Sequence, residues 1–170
     1  LAGDTLIIFA SDNGGERFSY NWPFTGKKFE LWEGGLRVPA IMRWPEVIPS
    51  GRSTEQVAVT MDWTATMLAA SQTKPDPRYP LDGYDLLPLS KGEESIHERT
   101  LFWRNDKQDA VRRGKWKYLN TGEKEHLFDL SIDQREWADF KERNPQVFSQ
   151  LQSEFQNWQK QMLPRPKPRS

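Results

Sequence analysis

Thr5-Leu6-Ile7-Ile8-Phe9-Ala10 runs directly into Ser11-Asp12-Asn13-Gly14-Gly15, and after a short loop comes Gly26-Lys27-Lys28-Phe29-Glu30-Leu31-Trp32-Glu33-Gly34-Gly35-Leu36-Arg37-Val38-Pro39. The apolar, β-branched opening predicts a strand covered on both faces, the pattern of a parallel α/β sheet, with polar groups delivered at its carboxyl end. Asp12 and Asn13 stand at that end. A carboxylate beside a carboxamide supplies hard oxygen donors, the type that Ca²⁺ and Mg²⁺ take. Gly14 and Gly15 let the backbone turn sharply. Taken alone, Asp-Asn-Gly-Gly is also an ordinary turn after a strand, and two adjacent lysines in a polar loop are ordinarily solvated.

Downstream, Val38 to Trp44 reads as a second strand, which Pro39 places at an edge or at a strand start. Val57–Val59 is a candidate short strand leading to Asp62, the expected N-cap of a helix over 63–70 whose inward face would carry Trp63, Thr64, Met67 and Leu68. From Ser71 to Ser95 the prolines at 75, 77, 80 and 88 exclude long regular structure. Leu81 to Leu86 is apolar enough to dock on a core.

Residues 100–104, 109–112, 116–119 and 126–130 read as strands, with Arg113-Gly114-Lys115 at a hairpin turn, and favour an antiparallel sheet. Asn144-Pro145 gives an N-cap with proline in the first turn. Val147, Leu151, Phe155, Trp158 and Met162 form an apolar stripe that predicts a helix packed across that sheet. The fold class is therefore α/β, passing to α+β in the second half. The expected boundaries are an α/β piece over 1–95, a small antiparallel sheet plus C-terminal helix over 96–163, and a disordered tail over 164–170.

The composition limits what this architecture can do. At 36% hydrophobic residues the 170-residue chain is core-poor. Lysine plus arginine balances aspartate plus glutamate at 24 each, so no net charge favours nucleic acid or an anionic membrane surface as partner. The absence of cysteine excludes disulfides and thiolate-ligated metals. No apolar run approaches a membrane span, and Leu1 to Gly3 has neither the basic nor the apolar region of a signal peptide. A start almost directly at a strand, without an initiating methionine, is expected of a piece of a longer protein. The histidines, His97 and His126, have no sequence neighbours suggestive of a triad or a zinc site. The eight tryptophans are dispersed, which favours core packing over sugar stacking.

The two spaced motifs, Ser11-Asp12-Asn13-Gly14-Gly15 and Gly26 to Pro39, together resemble the sulfatase family, the formylglycine-dependent sulfuric ester hydrolases of the alkaline phosphatase superfamily. The resemblance extends more loosely through Asp82-Gly83, Ala110-Val111-Arg112, Gly114 to Tyr118 and Leu127 to Leu130. It implies the carboxy-terminal portion of an alkaline phosphatase-like fold. It implies metal ligation by Asp12 and Asn13, with Ca²⁺ the usual ion and Mg²⁺ an alternative, and a catalytic role for Lys28, which reaches the substrate sulfate in the family's spacing. Glu33 and Arg37 are expected to pair or to bind loop amides in support of Lys28.

The family's nucleophile, a formylglycine made from cysteine or serine, and its other metal ligands match nothing in these residues. They are expected on preceding sequence, which leaves the isolated chain inactive. The implied substrate is a small-molecule or carbohydrate sulfate ester, and periplasmic or secreted localisation is an expectation for the parent alone. A phosphonate or phosphate ester hydrolase is the rival within the superfamily. A non-catalytic assembly module, self-associating through an exposed sheet edge, is the rival outside it.

Overall fold

The computed structural model describes residues 1–165, which fall into two units, Leu1–Asp12 with Pro39–His97, and Asn13–Val38 with Glu98 onward. The chain passes from the first unit to the second at His97–Glu98. Residues 13–38, which the sequence reading grouped with the first unit, are counted in the second.

The second unit is built on a meander. Strands β3 (Thr100–Arg104), β4 (Asp109–Arg113), β5 (Trp116–Asn120) and β6 (Glu125–Asp129) pair antiparallel in sequence order. Gly114 adopts φ +54° in the tight connection between β4 and β5, a conformation that glycine reaches without a Cβ clash. Period-two alternation then sorts the side chains onto two faces, and both are covered. Val111, Tyr118 and Leu127 on one face pack against Leu151 and Phe155 of helix α4 (Pro145–Gln161). Ala110, Leu119 and Phe128 on the other pack against Leu31, with Trp32 and Leu36 beside it.

The stripe read from the sequence is this helix face, except that Met162 lies past the last helical residue and is partly exposed. Within the predicted tail, the Arg165 guanidinium donates to the Asn105 carbonyl at 2.8 Å and pairs with Asp109. The remainder of that tail, 166–170, lies outside the described residues.

In the first unit, β1 (Ile7–Ala10) pairs antiparallel with β2 (Ala40–Arg43), with Ile7 opposite Arg43 and Ala10 opposite Ala40. The expectation of a strand covered on both faces is corrected here: Ile7 and Phe9, on one face, are 50% and 61% exposed. Apolar residue types predict that a strand forms, but not which partner it takes or what lies over it. Val57–Val59 forms no strand, and is extended up to helix α2 (Thr60–Ala70).

Asp62 is not the N-cap of α2 but sits in its first turn, where its carboxylate accepts the Val59 N–H at 2.7 Å and the Tyr84 N–H at 2.9 Å. The buried face carries Asp62, Ala65 and Thr66, while Met67 is half exposed. The reason is hydrogen bonding. The irregular segment ending at Leu86 and Leu87 docks on α2 and brings backbone amides that need acceptors, so a polar face is the one covered. Thr66 Oγ1 accepts the Leu86 N–H at 3.0 Å. A short helix, α3 (Leu87–Lys91), follows, with Pro88 in its first turn and Gly92 at φ +84° just past its end.

Candidate active site and its support

The two motifs meet through backbone. Gly14 donates its N–H to the Gly35 carbonyl at 2.9 Å, and a Cβ placed on Gly14 would stand 1.8 Å from the Gly34 carbonyl oxygen. Gly34 donates to the Thr25 carbonyl at 2.7 Å, at the start of the one-turn helix α1 (Glu33–Leu36). Only glycine allows the first approach, and Gly34 has its own reason, since a Cβ there would stand 2.4 Å from the Gly26 carbonyl oxygen.

Asn21 braces the same junction. Its Oδ1 accepts the Gly15 N–H at 3.0 Å, and its Nδ2 donates to the carbonyls of Gly15 at 2.9 Å and Gly26 at 3.1 Å. A lone asparagine in a polar aromatic loop gives no sequence signal for this role. Lys28 then donates its own N–H to Gly15 at 3.0 Å, which ties its backbone to the end of the first motif.

Asp12 is exposed, just beyond β1, and Asn13 is half-buried at the opening of the second unit. Lys28 is half-buried, with its ammonium 5.2 Å from the centroid of the Phe29 ring. Phe29 has φ +72°, and its carbonyl accepts the Asn105 Nδ2 at 2.9 Å. Lys27 is exposed, and its N–H bonds the Glu30 carboxylate at 3.2 Å. Asp12 and Asn13 are oxygen donors of the right chemistry for a hard divalent cation, yet they supply a minority of the roughly six to eight oxygens that Ca²⁺ takes. Among the described residues no group of three or more His, Cys, Asp or Glu side chains is placed to hold a metal ion. By themselves these two donors could complete only part of such a coordination shell.

Glu33 does not pair with Arg37, and that expectation is corrected. Arg37 lies over the Phe24 ring, with its guanidinium carbon 5.0 Å from the centroid. Glu33 instead turns into the sheet. Its Oε1 accepts from the Lys117 ammonium at 2.9 Å, and its Oε2 lies 3.6 Å from Arg112. Lys117, with 0% of its surface exposed, also pairs with Glu136 at 2.8 Å, and the Glu33 N–H donates to Glu136 Oε2 at 2.6 Å. Two carboxylates thus face two cations in an interior site.

Alternation on β5 directs Lys117 to the same side as Leu119, the side on which Leu31 packs. Burial pushes the Glu136 carboxyl up, with Lys117 pulling the other way. Such a cluster contributes little net stability compared with an apolar filling, but it penalises any arrangement that leaves one charge unpaired. It therefore fixes where the second motif sits. The sequence places Lys117 in the 116–119 strand and in the looser resemblance without naming a partner for it, and does not single out Glu136.

His126 does have a carboxylate partner, contrary to its sequence neighbourhood: Nδ1 lies 3.1 Å from Asp139 Oδ2. Burial alone would raise the Asp139 carboxyl, but the amides of Lys141 and Leu127, with Lys141 and His126 charge, hold it below the ordinary carboxylate range. The His126 ring stacks on Phe128 at 5.5 Å and meets Trp32 at 5.9 Å. His97 pairs with Glu94 on the surface at 2.9 Å.

Comparison with known proteins bears directly on this arrangement. The Sulfatase family model matches residues 1–73. The chain is 35% identical over 123 residues to N-acetylgalactosamine-6-sulfatase of Canis lupus familiaris, a match covering 69% of this chain and 24% of that protein. It is 39% identical over 125 residues to steryl-sulfatase of Homo sapiens, covering 66% and 21%.

The chain belongs to the sulfatase family. It spans about a quarter of the length of these curated sulfatases. Among solved structures, Ps i-CgsB superposes with a TM-score of 0.83 at 27% identity, over 92% of this chain and 37% of that one, and has also been solved in complex with k-i-k-neocarrahexaose. The fold is the sulfatase one, alkaline phosphatase-like, here with small antiparallel sheets and a C-terminal helix. Among the described residues no helix is long and apolar enough to cross a membrane.

Proposed function

We propose that this chain is the carboxy-terminal part of a sulfatase that hydrolyses sulfate monoesters. Asp12 and Asn13 serve as two ligands of a divalent cation, Ca²⁺ before Mg²⁺, and Lys28 holds the sulfate. The observation that carries the reading is the glycine junction: Gly14 against Gly34 and Gly35, with Lys28 bonded to Gly15. It fixes the backbone of Lys28 relative to the end of the first motif, as a shared site requires. The Lys28 ammonium lies 5.2 Å from the Phe29 ring centroid, and water excluded by a bound substrate would strengthen its attraction for sulfuryl oxygens.

Sulfate ester cleavage needs compensation for charge that builds on sulfuryl and leaving oxygens. Lys28 supplies a fixed positive charge for that purpose, and Asp12 and Asn13 orient the ion. A bound divalent cation would supply Lewis-acid polarisation of the sulfate. Glu33 acts on neither, and its part is to hold the segment that carries Lys28.

Formylglycine is general to the family, and nothing in these residues matches its motif, so the 170-residue chain alone should release no sulfate. The substrate class we favour is a carbohydrate sulfate. N-acetylgalactosamine-6-sulfatase is named for a sugar ester, and Ps i-CgsB was solved with a saccharide. Calorimetric titration of the full-length protein with Ca²⁺ tests the metal assignment. Asp12→Ala and Asn13→Ala should each weaken binding by at least about tenfold, in line with the loss of one direct ligand. Unchanged affinity in both would remove these residues from the site.

A further inference from the structure

The loop Asp133–Asp139 presents a second recognition surface. Glu136 sits at φ +60°, in the left-handed region that residues other than glycine seldom enter, and its carboxylate is held inside by Lys117. Asp133 gathers the N–H groups of Arg135 at 3.2 Å, Trp137 at 2.8 Å and Ala138 at 2.8 Å. Thr25 Oγ1 donates to the Arg135 carbonyl at 2.5 Å. These bonds hold the loop's backbone in place, and with it the side chains that the loop displays.

It displays an aromatic and cationic stack. The Arg135 guanidinium lies 5.1 Å from the Trp22 ring and 5.0 Å from the Trp137 ring, and Tyr20 stacks on Trp22 at 6.5 Å. Trp22 and Trp137 are 62% and 74% exposed, although core packing is the usual fate of tryptophan. Trp137 also lines a cavity of about 810 Å³, with Trp32, His126, Lys124 and Lys141, and with the carboxylates of Glu136 and Asp139, the first paired with Lys117 and the second with His126 and Lys141. Among the described residues neither Arg135 nor Lys124 has a carboxylate partner, while Asp133 and Asp139 are engaged by backbone amides. Flat apolar rings beside cations without a carboxylate partner of their own, Arg135 and Lys124, suit sugar rings that bear anionic groups.

We propose that Trp22, Arg135 and Trp137, with the cavity that Trp137 lines, form a subsite for a sulfated saccharide, binding sugar units other than the one whose ester is cleaved. This rests on the carbohydrate sulfatase reading and extends it to the substrate's chain length. Arg135, held between the two rings, would present the edge of its guanidinium to an anionic group of the ligand.

The test measures binding by the full-length protein of a chondroitin sulfate hexasaccharide and of its desulfated counterpart, by calorimetry, in the parent and in Trp137→Ala and Arg135→Gln. Near-ultraviolet circular dichroism confirms that each variant is folded. The expected result is a loss of affinity for the sulfated hexasaccharide of about tenfold in each variant, and weaker binding of the desulfated sugar by the parent. Affinity unchanged within about twofold in both folded variants would overturn the proposal, as would equal affinity for the two sugars. A dimer seen by light scattering that Trp137→Ala dissolves would overturn it too, making the stack an interface between copies. Sulfate release from 4-nitrophenyl sulfate by the parent is measured separately: its absence would sink the catalytic reading, and the binding result would still decide the subsite.

Discussion

The two units differ in how completely they bury what they build. In the second, a four-stranded meander is covered on one face by α4 and on the other by Leu31, Trp32 and Leu36, and Ala110, Val111, Leu119, Leu127 and Leu151 have no exposed surface. In the first, a two-stranded ribbon leaves Ile7, Phe9 and Ile41 exposed, and its buried set is small and partly polar: Asp62, Ala65, Thr66, Leu86 and Leu87. A two-stranded ribbon is marginal without further cover. Residues 13–38, which carry Lys28, belong with the closed unit. Stability of the segment that carries Lys28 should therefore follow the small sheet, whereas the ribbon that leads to Asp12 should contribute little.

Breaking the closed unit at its charge cluster is the most severe test. Lys117→Met leaves Glu33 and Glu136 without their shared cation and should cost about 3–5 kcal/mol in urea unfolding. Adding Glu136→Leu should recover part of that loss, because an apolar filling tolerates burial better than an unpaired carboxylate. Leu151→Ala, at the contact of α4 with β4 and β5, should cost about 2–5 kcal/mol by emptying a fully packed site.

Acid should act more gently. Burial alone would raise the Asp129 carboxyl, but Lys115 at 2.7 Å and Ser131 hold it below its ordinary value. A depressed folded pKa means that its contribution is fully present above the unfolded value and is lost as pH falls through the folded one. Glu136 has the opposite sign: its raised pKa costs stability at neutral pH, and the cost shrinks as pH falls toward the ordinary glutamate range. Asp129→Asn should flatten the acid limb of a stability profile measured below about pH 4, by less than about 1 kcal/mol because Lys115 is half exposed. Smallest of all, in the 170-residue chain Phe9→Ser on the open ribbon should change stability by no more than about 0.5 kcal/mol. A cost above that would mean the first unit's ribbon is better covered than its exposure indicates.

The sequence was most readable where local rules and packing agree. Period-two alternation across 100–130 and the stripe from Val147 to Trp158 specify the meander and its helix, because each strand pairs with its chain neighbour and the pattern alone selects the buried face. Gly14 and Gly15 announced a sharp turn, and the structure shows what Gly14 turns against: Gly34 and Gly35. The failures share a cause. Ile7 and Phe9 have strand-like types, but cover depends on partners that periodicity does not encode.

Asp62 and Thr66 are buried because a distant loop brings amides to them. The cation that meets Glu33 is Lys117, 84 positions away, rather than its neighbour Arg37. Trp22 and Trp137 join through Arg135 only in three dimensions. Long-range polar contacts leave no period in a sequence.

The central claim is that Lys28 holds the sulfate of a sulfate monoester. Its most direct test is steady-state sulfate release from 4-nitrophenyl sulfate by the full-length protein and by its Lys28→Ala variant. The account predicts turnover by the parent and a fall in kcat/KM of about a hundredfold or more in the variant, the scale of removing one preorganised charge-stabilising group. Equal kcat/KM in the two proteins, or turnover of a phosphonate ester with none of the sulfate, would contradict it.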